Sequence, residues 1–500
     1  MQHQNVSQYV IVGGGTAGWM TAALLSKVLP QSSVSITLVE SPDQPSVGVG
    51  EATVPSFVDF VRLLGINEQE FIASTAATFK LGIRFTDWLH KGHSYWHPFG
   101  NVGARIDGQS FFQQWLNARH GGLQNDYTDF SPSARMAEKH RFFVPDSAKP
   151  TNLSRMGYAY HFDAHRVADF LCDYATSRGV IHKREHIDRV RVDRTLGTIT
   201  GLTTADGNEI DGEFFIDCSG DKALLLGTTL GVAFESWQQY LPVNGAIVAQ
   251  SEKSLTLPPY TESIAEPMGW RWRIPLQNRV GNGLVFCDQY CSVEQATAYF
   301  SACLKDSVTT EPRHLGFETG RRQVFWEKNC VAIGLSSGFL EPLESTGIYL
   351  IMRGVLNLAK LLPSIPACQA TTAEYNRLMA AEYENIRDFI VLHYCLSDRD
   401  DSPFWQSWQR RALPESLQQK LALYNTRGAL VHNDLDLFAS DSWHAVLAGM
   451  SVLPRGMDPL VENTNVSELI KLLQKFDYSL NHSVEQLFHH KDFLALYAPG

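Results

Sequence analysis

The sequence contains little charge, and basic residues are the scarcer sign. Charged residues make up 19% of its 500 residues, and 42 Lys and Arg stand against 53 Asp and Glu, for a formal net charge of −11. A chain with this balance has no overall attraction for nucleic acids or anionic membranes. We therefore expect neither kind of partner.

Cysteine is scarce as well. The eight cysteines are scattered in apolar surroundings, and only Cys287 and Cys291 are near neighbours. A zinc site needs clustered Cys or His ligands, and a secreted disulfide scaffold needs far denser cysteine. We therefore predict buried, reduced thiols and no metal site.

Long apolar runs are missing too. No stretch reaches the roughly 18 uncharged apolar residues of a membrane-spanning helix. A short polar segment leads into the apolar residues 9–12 without the basic region of a signal peptide. We expect a cytoplasmic protein, and its 44% hydrophobic content allows a large buried core.

Hydrophobic patterning predicts an α/β protein that ends in helices. Residues 9–40 are expected to form strand, glycine turn, helix and strand, with the helix at 19–29. The segment 185–218 is β-rich, and a strand at 330–333 precedes a second small-residue turn. From about Ile348 the pattern is helical, and we predict helices over residues 348–362, 373–392 and 466–476.

A GxGxxG motif lies between the first strand and the first helix. It consists of Gly13, Gly14, Gly15, Thr16, Ala17 and Gly18. In a dinucleotide-binding fold these glycines allow a tight turn and a close approach of pyrophosphate to the helix N-terminus. Glu40, at the end of the second strand, stands where an acidic residue binds the adenosine ribose. An ordinary glycine turn is the alternative.

Two further loops are candidates for ligand contact. Residues 48–55 read GVGEATVP and are too rich in glycine for a helix, although a purely structural loop also explains them. Residues 334–344 read GLSSGFLEPLE and follow a strand directly. Such late turns lie beside the isoalloxazine in FAD-binding folds.

Lys80 and Glu344 are ionisable residues in apolar surroundings. Such a lysine usually extends its amine to water, and a glutamate before a helix usually complements the helix dipole. Trp270 and Trp272 alternate along a strand that Pro275 closes, so both indoles lie on one face. The bare pattern favours ordinary strand packing for the two tryptophans.

Together these motifs resemble the flavin-dependent tryptophan halogenases. The shared features are GxGxxG at 13–18, GVGEATVP at 48–55, Lys80 in FKLGIRF, His97-Pro98-Phe99, WxWxIP at 270–275, GFLEPLESTGI at 338–348 and DRDDSPFW at 398–405. Related flavin monooxygenases share the first motif but lack Lys80, WxWxIP and the ESTG turn together. The combination is therefore specific.

The resemblance implies a fold and a division of the chain. Residues 1–345 are expected to form an α/β, Rossmann-like FAD-binding core of the flavin monooxygenase type, with an inserted substrate-side sheet. Residues 346–500 are expected to form a mainly helical substrate-binding region, and both parts pack as one intertwined unit.

The resemblance also implies a cofactor and a reaction. Reduced FAD, supplied by a separate flavin reductase, and dioxygen would convert chloride or bromide to hypohalous acid. FAD contacts fall on Glu51, Ala52, Val190 and Leu335, besides the glycine motif and Glu40. Halide contacts fall on Thr346 and Gly347, at the start of a helix.

Lys80 and Glu344 are the implied catalytic residues. Hypohalous acid would pass through the protein to Lys80, whose pKa would be lowered by partial burial. Glu344, close to Lys80, would polarise the halogenating species and take the ring proton. The tunnel and substrate positions are His97, Pro98, Phe99, Trp270, Trp272 and Ser345, with the tryptophans forming a barrier on the flavin side.

The chain departs from the family pattern after residue 430. Tryptophan-specific members carry a tyrosine pair and a glutamate there that hold the amino acid, and residues 437–450 lack the tyrosine pair. A zwitterion without partners loses hydration that it cannot recover. We therefore expect indole or an indole derivative to be preferred over free tryptophan.

Two other functions stay open from the sequence. A flavin-dependent aromatic hydroxylase or monooxygenase would use NAD(P)H directly, but only one dinucleotide motif is present. A non-enzymatic flavoprotein acting as a redox sensor would not need Lys80 and Glu344 together.

Overall fold

The computed structural model describes residues 4–43, 50–146, 148–304, 307–431, 436–462 and 464–499. The α-helices are α1 Thr16–Val28, α2 Ser56–Leu64, α3 Glu68–Ser74, α4 Phe111–His120, α5 Pro132–Glu138, α6 Ala164–Ser177, α7 Val293–Cys303, α8 Gly347–Lys360, α9 Gln369–Cys395, α10 Pro403–Trp408, α11 Glu415–Arg427, α12 Ser440–Gly449, α13 Val466–Glu485 and α14 His490–Tyr497.

The first twelve strands are β1 Gln4–Asn5, β2 Gln8–Val12, β3 Ser35–Glu40, β4 Glu51–Ala52, β5 Thr78–Lys80, β6 Gly82–Thr86, β7 Ser94–Pro98, β8 Ala159–Phe162, β9 Ile181–Arg184, β10 Ile187–Val192, β11 Ile199–Thr204 and β12 Glu209–Asp211. The others are β13 Phe214–Asp217, β14 Phe234–Ser236, β15 Gly245–Glu252, β16 Thr261–Glu266, β17 Gly269–Pro275, β18 Arg279–Phe286, β19 Arg313–Gly316, β20 Gly320–Arg322, β21 Trp326–Glu327, β22 Cys330–Ala332, β23 Gly338–Phe339 and β24 Ser364–Ile365.

A six-stranded sheet forms the dinucleotide-binding core, in the order β21-β22-β13-β2-β3-β9. Its strands β22, β13, β2, β3 and β9 run parallel, and only β21 is antiparallel to its neighbour. The helix α1 follows β2 directly and buries nine of its side chains. This confirms the predicted α/β core, although the helix begins at Thr16 and not at residue 19.

A seven-stranded sheet, β19-β15-β18-β17-β16-β6-β7, is inserted on the substrate side. All its pairs are antiparallel except β16 with β6. The strands β6, β7 and β17 carry three of the motifs named above. A small sheet, β4-β8-β5, sets residues 51–52 and 78–80 on either side of β8.

The last third of the chain is helical, as expected. Among the described residues after 348, strand occurs only in the short β24, which pairs with β1. The predicted helices at 373–392 and 466–476 were too short, since α9 and α13 span 27 and 20 residues. The extra residues at the start of α9 are mostly polar and partly or fully exposed, while the extensions at both C-terminal ends mix polar residues with buried ones such as Tyr394 and Leu480. Helix ends are the least reliable part of a prediction from periodicity. The division of the chain after residue 345 stays a prediction.

The C-terminal helix is tied to the strand of Lys80. The backbone N–H of Phe79 donates to Nε2 of His490, the first residue of α14, at 3.2 Å. The other ring nitrogen, Nδ1, donates to the carbonyl of Leu257 at 2.8 Å. Buried side chains from α1, β6 and α14 belong to the same hydrophobic core.

All eight cysteines are unpaired. Cys218, Cys287, Cys291 and Cys330 are buried, as predicted. The prediction of burial was wrong for the other four, which are partly exposed because they lie at element ends or on amphipathic helices: Cys172, Cys303, Cys368 and Cys395. Across the described residues, the helices are too short or too polar to cross a membrane.

Candidate active site

The glycine turn is shaped to let a ligand approach the backbone. Gly13 has a φ of +116°, and a Cβ there would lie 2.1 Å from the carbonyl oxygen of Cys218. A Cβ on Gly18 would lie 1.8 Å from the carbonyl oxygen of Gly13. Gly15 has open space around it and precedes α1, so amide donors at the helix start are accessible.

Glu40 lies against this turn. A Cβ on Gly14 would overlap its carboxylate, and Nε2 of His182 contacts the same carboxylate at 2.7 Å. An acidic group thus stands beside the amides of the turn. The arrangement has the chemistry needed for a ribose next to a pyrophosphate.

The turn that begins at Gly334 packs against the glycine turn at residues 13–18. Gly334 has a φ of +82°, and a Cβ there would lie 2.7 Å from Cβ of Ala17. Leu335, the next residue, is 51% exposed, which is unusual for a leucine between two buried strands and leaves an apolar surface beside the glycine turn.

The remaining predicted cofactor positions are spread more widely. Gly48 and Val49 lie outside the described residues. Ala52 is buried and packs with Trp272. Glu51 is partly exposed as a residue, but burial of its carboxyl group raises its pKa to about 7. Val190 packs on the hydrophobic cluster that includes residues of β2 and β13.

Lys80 is completely buried at the end of β5. Its Nζ donates to Oγ of Ser345 at 2.8 Å and to the carbonyl of Thr53 at 3.2 Å, and it lies 5.0 Å from the centroid of the Phe99 ring. Burial lowers the pKa of Lys80 to about 7, against a smaller opposing effect of Glu344. The alternative interpretation, that the amine of Lys80 extends to water, is therefore wrong.

Glu344 is equally buried, and two histidines contact its carboxylate. Nδ1 of His97 is 2.8 Å from Oε2, a hydrogen bond. Nε2 of His393 is 2.8 Å from Oε1, close enough for an ion pair but poorly aligned for a hydrogen bond. Burial favours a higher pKa, but the charge of His97 and the contacts with His393 outweigh it and lower the pKa of Glu344 to about 2.

Lys80 and Glu344 are brought together without a direct ion pair. Lys80 bonds to Ser345, the residue that follows Glu344. Ser345 has a φ of +60°, so the chain turns sharply between the carboxylate and the hydroxyl. The expected proximity of the two residues is thus explained by one tight turn.

The helix α8 begins immediately after this turn. Thr346 is its N-cap residue, yet its hydroxyl makes no capping bond and is buried without a partner among the described residues. Gly347 is exposed, with open space where a Cβ would stand. The first amides of a helix lack intrahelical acceptors, so this end offers donors to an anion.

Three phenylalanine rings lie close to the ring of His97. Its ring lies 6.4 Å from Phe99, 5.7 Å from Phe438 and 5.2 Å from Phe389, measured between centroids. Pro98 ends β7 next to it and is buried. A flat aromatic molecule would meet ring faces here.

The two tryptophans lie on one face of β17, as predicted, with centroids 5.8 Å apart. Trp270 is 1% exposed, and its Nε1 donates to Oε2 of Glu341 at 3.2 Å. Trp272 is partly exposed and packs over Gly283, where a Cβ would overlap its ring.

Sequence reasoning missed four residues that complete the site. They are Thr53, which accepts from Lys80, His393 and Tyr95 behind Glu344, and Glu341 behind Trp270. His393 lies in the apolar run FIVLHYC of α9, the same kind of signal that singled out Lys80. Applying that criterion to histidines would have found it.

A groove of about 320 Å³ opens between α2 and α8. Its walls are largely apolar and include Phe60 and Leu63 on α2, Met352 and Leu356 on α8, and Leu437. Ser56 and Tyr349 also line it, and each lies within three residues of a site residue, Thr53 and Gly347 respectively.

Comparison with known proteins finds consistent similarity. The tryptophan halogenase family model matches residues 8–465. The tryptophan 6-halogenase SttH of Streptomyces toxytricini is 36% identical over 84% of both chains. The tryptophan 7-halogenase RebH of Lentzea aerocolonigenes is 32% identical over 91% of both chains.

Solved structures agree with these matches. A flavin-dependent halogenase from Xanthomonas campestris superposes with a TM-score of 0.95 at 40% identity, covering 99% of each chain. One from Brevundimonas sp. BAL3 gives a TM-score of 0.94 at 40% identity, also over 99% of each chain.

Proposed function

The chain belongs to the tryptophan halogenase family of flavin-dependent enzymes, and from that premise we propose that it uses reduced FAD, dioxygen and halide to halogenate an electron-rich aromatic ring. The observation that carries the proposal is the buried amine of Lys80, bonded to Ser345 next to the buried carboxylate of Glu344. Ordinary structural packing does not call for either charge at this depth.

The residues present fit FAD. The glycine turn with Glu40 suits the adenosine and pyrophosphate, and the exposed Leu335 offers an apolar contact beside it. Glu51, Ala52 and Val190 are proposed as further contacts. When bound, reduced FAD would supply, with dioxygen, the oxidising equivalents that convert halide to an electrophilic halogen.

The amides of Thr346 and Gly347 are proposed to hold the halide. They stand at the positive end of α8, where the side chain of the N-cap residue Thr346 makes no capping bond. A site made of backbone amides accepts chloride and bromide alike. Trp270, buried beside the site, is proposed to form with Trp272 the wall that keeps the aromatic substrate from the flavin.

Lys80 is proposed to bind hypohalous acid. With a pKa of about 7, a large fraction of the side chain is the neutral amine near neutral pH. The amine either donates a hydrogen bond to the acid or forms an N–halogen bond with release of water. Ser345 and Thr53 hold Nζ in place in both cases.

Glu344 is proposed to act as the base. The ring carbon bonds to the halogen as the halogen–oxygen bond of hypohalous acid, or the N–halogen bond on Lys80, breaks with its electron pair on oxygen or nitrogen. That group takes up a proton and leaves as water or as the free amine, which balances the proton lost from the ring. The C–H bond at the cationic ring carbon then breaks, and its electron pair returns to the ring. The proton goes to a carboxylate oxygen of Glu344, which its contacts keep ionised. A fixed negative charge there also stabilises the cationic ring before the proton leaves.

We propose indole or an indole derivative as the substrate, and a separate flavin reductase as the partner that supplies reduced FAD. Phe99, Phe389 and Phe438 offer ring faces around His97, and the groove between α2 and α8 leaves room for a substituent. Competition between equimolar indole and tryptophan tests the preference. Preferred halogenation of tryptophan at one benzo-ring carbon would contradict it.

The reaction itself is tested by mass spectrometry of an indole panel incubated with reduced FAD, air and each halide. We expect products with the halogen isotope pattern when reduced FAD is supplied, either chemically reduced or regenerated by an added flavin reductase. We expect none when oxidised FAD and NADPH are added without a reductase. Steady NADPH oxidation by the purified protein alone would contradict the two-component arrangement.

Lys80→Ala is the matched variant for this experiment. It should abolish halogenated product but keep FAD binding and the release of hydrogen peroxide from reoxidised flavin, because Lys80 contacts Ser345 and Thr53 and not the glycine turn. A variant that no longer binds FAD would show that Lys80 is structural.

A further inference from the structure

Each carboxylate oxygen of Glu344 contacts a histidine, and the two histidines come from different parts of the chain. His97 lies on β7 and contacts Oε2, while His393 lies on α9 and contacts Oε1, each at 2.8 Å. All three side chains are at most 2% exposed. A buried carboxylate is costly unless such partners neutralise it.

His393 has a second polar contact that fixes its tautomer. Oη of Tyr95 lies 2.7 Å from Nδ1 of His393. Nε2 of His393 lies 2.8 Å from a carboxylate oxygen, which can only accept, so the ring proton stands on Nε2 and Nδ1 accepts from the phenol. Burial raises the pKa of Tyr95 well above its usual value, so the phenol keeps the proton that it donates. A neutral imidazole carries one N–H, which then stands on Nε2 and faces Glu344.

The ring of His393 is also fixed in orientation. It stacks on Phe85 with a centroid distance of 4.4 Å and an interplanar angle of 19°, and the ring of Phe389 meets it edge-on at 5.3 Å. The imidazole cannot rotate to exchange its nitrogens without displacing these rings. Packing therefore holds Nε2 of His393 at 2.8 Å from Oε1 of Glu344, although the alignment is poor for a hydrogen bond.

We propose that His393, held in one tautomer by Tyr95, is a positioning residue. Together with His97 it keeps Glu344 ionised and holds its carboxylate where it forms no ion pair with Lys80. This inference rests on the proposed function, because it gives Glu344 and Lys80 their separate tasks.

The absence of an ion pair between Lys80 and Glu344 matters because such a pair would prevent both residues from carrying out their proposed tasks. A direct ion pair with Glu344 would hold Lys80 as an ammonium, which cannot form an N–halogen bond. Instead Nζ bonds to the neutral oxygens of Ser345 and Thr53. The carboxylate of Glu344 is thus stabilised by the two histidines and not by Lys80, and the amine of Lys80 keeps its lowered pKa.

The charged and titratable groups around Glu344 are few. His97 faces it from β7, His393 from α9 and Lys80 from β5, while Glu341 on the same turn faces Trp270 and Tyr394. In the intact site the pKa of Glu344 is about 2, so its ionisation is complete in any neutral buffer. Loss of the His393 donor raises that pKa, and the carboxylate is then lost as pH falls through the new value.

The test compares the pH dependence of kcat for four variants. His393→Phe keeps a ring against Phe85 but removes the donor, and kcat should fall by at least about tenfold between about pH 8 and pH 5 relative to the unchanged protein. His393→Gln, whose amide nitrogen reaches the position of Nε2, should restore most of the profile. Tyr95→Phe should lie between the unchanged protein and His393→Phe.

Tyr375→Phe is the fourth variant and serves as the control, because Tyr375 is a buried tyrosine on α9 whose hydroxyl donates to the carbonyl of Gly354, away from Glu344. Its profile should match the unchanged protein. An unshifted profile in His393→Phe, or loss of activity at every pH that His393→Gln does not restore, overturns the proposal.

Infrared difference spectroscopy separates this proposal from the proposed function, since it needs neither cofactor nor turnover. Glu51 and Glu341 are protonated at about pH 5 in every variant, so the signal sought is an additional protonated carboxyl band. His393→Phe should gain this band relative to the unchanged protein, and His393→Phe combined with Glu344→Gln should lose it again. Absence of that band overturns the positioning role even if the protein halogenates. A protein that shows the band but halogenates no ring refutes the proposed function alone.

Discussion

Glu341 and Glu344 are buried on the same turn, three residues apart, and their surroundings shift their pKa values in opposite directions. Oε2 of Glu341 accepts from Nε1 of Trp270 at 3.2 Å and from Oη of Tyr394 at 2.8 Å, and Oε1 has no partner among the described residues. Burial raises its pKa to about 7, and these two neutral donors lower it only in part.

Glu344 has the same depth of burial and the same number of partners, but its partners are imidazoles. Its pKa is about 2. The difference teaches that the kind of partner, and not burial or the number of contacts, decides whether a carboxyl group in this turn is ionised: imidazoles lower the pKa of Glu344 more than burial raises it, and the indole and phenol beside Glu341 do not. One carboxyl accepts hydrogen bonds from Trp270 and Tyr394, and the other is the ionised group that we propose as the base.

The largest expected effect is on the reaction. Glu344→Gln should slow ring substitution by roughly two to four orders of magnitude, the usual scale for a positioned base, while peroxide release persists. Glu341→Gln removes the neighbouring carboxyl without touching His97 or His393 and should lower the rate by less than about tenfold. Rapid-quench assays with reduced FAD measure both, and equal losses would end the functional distinction between the two carboxyls.

The next effect is on stability. The pKa of Glu341 is about 7 in the folded protein against 4.5 for an ordinary glutamate, so the folded state binds this proton more tightly than the unfolded state. Its stabilising effect is complete below about pH 4.5 and is lost as pH rises through about 7, for a loss of about 3 kcal/mol.

Urea unfolding at about pH 5 and about pH 8 measures this loss in the unchanged protein and in Glu341→Gln. The variant should lose about 3 kcal/mol less over the interval. Glu51, whose pKa is also raised to about 7, is present in both proteins. Its contribution to the pH dependence of the unfolding free energy therefore cancels when the two proteins are compared. Identical pH dependence in the two proteins would show that Glu341 ionises normally.

The smallest effect concerns one hydrogen bond. Tyr394→Phe removes a donor to Glu341 and should lower the free energy of unfolding at neutral pH by about 1 kcal/mol. The pH profile of halogenation should not move, because Tyr394 has no contact with Glu344. A shifted profile would mean that the two carboxyls are coupled through the turn.

The local parts of the site could be predicted from the sequence. The turn at Gly13 and Gly18 needs glycine for close backbone contacts, and the order of apolar run, glycines and helix is visible without the fold. The alternation of Trp270 and Trp272 likewise placed both rings on one face of β17.

The partners of Glu344 could not be predicted this way. His97 is 247 positions away in the sequence, and the bond between Tyr95 and His393 spans 298 positions. No local pattern specifies a contact made only when β7 and α9 pack together. The resemblance to a family pointed to Glu344 itself, but the groups that set its charge come from tertiary structure.

The bond between Phe79 and His490 has a consequence for how the enzyme is made in the cell. It joins residues 411 positions apart and fixes the strand of Lys80 to the helix α14. During synthesis the strand of Lys80 is therefore made long before His490, and it lacks this support until residue 490 has left the ribosome. Loss of residues 490–500 would leave the glycine turn and its neighbours untouched and would remove this support from the strand of Lys80.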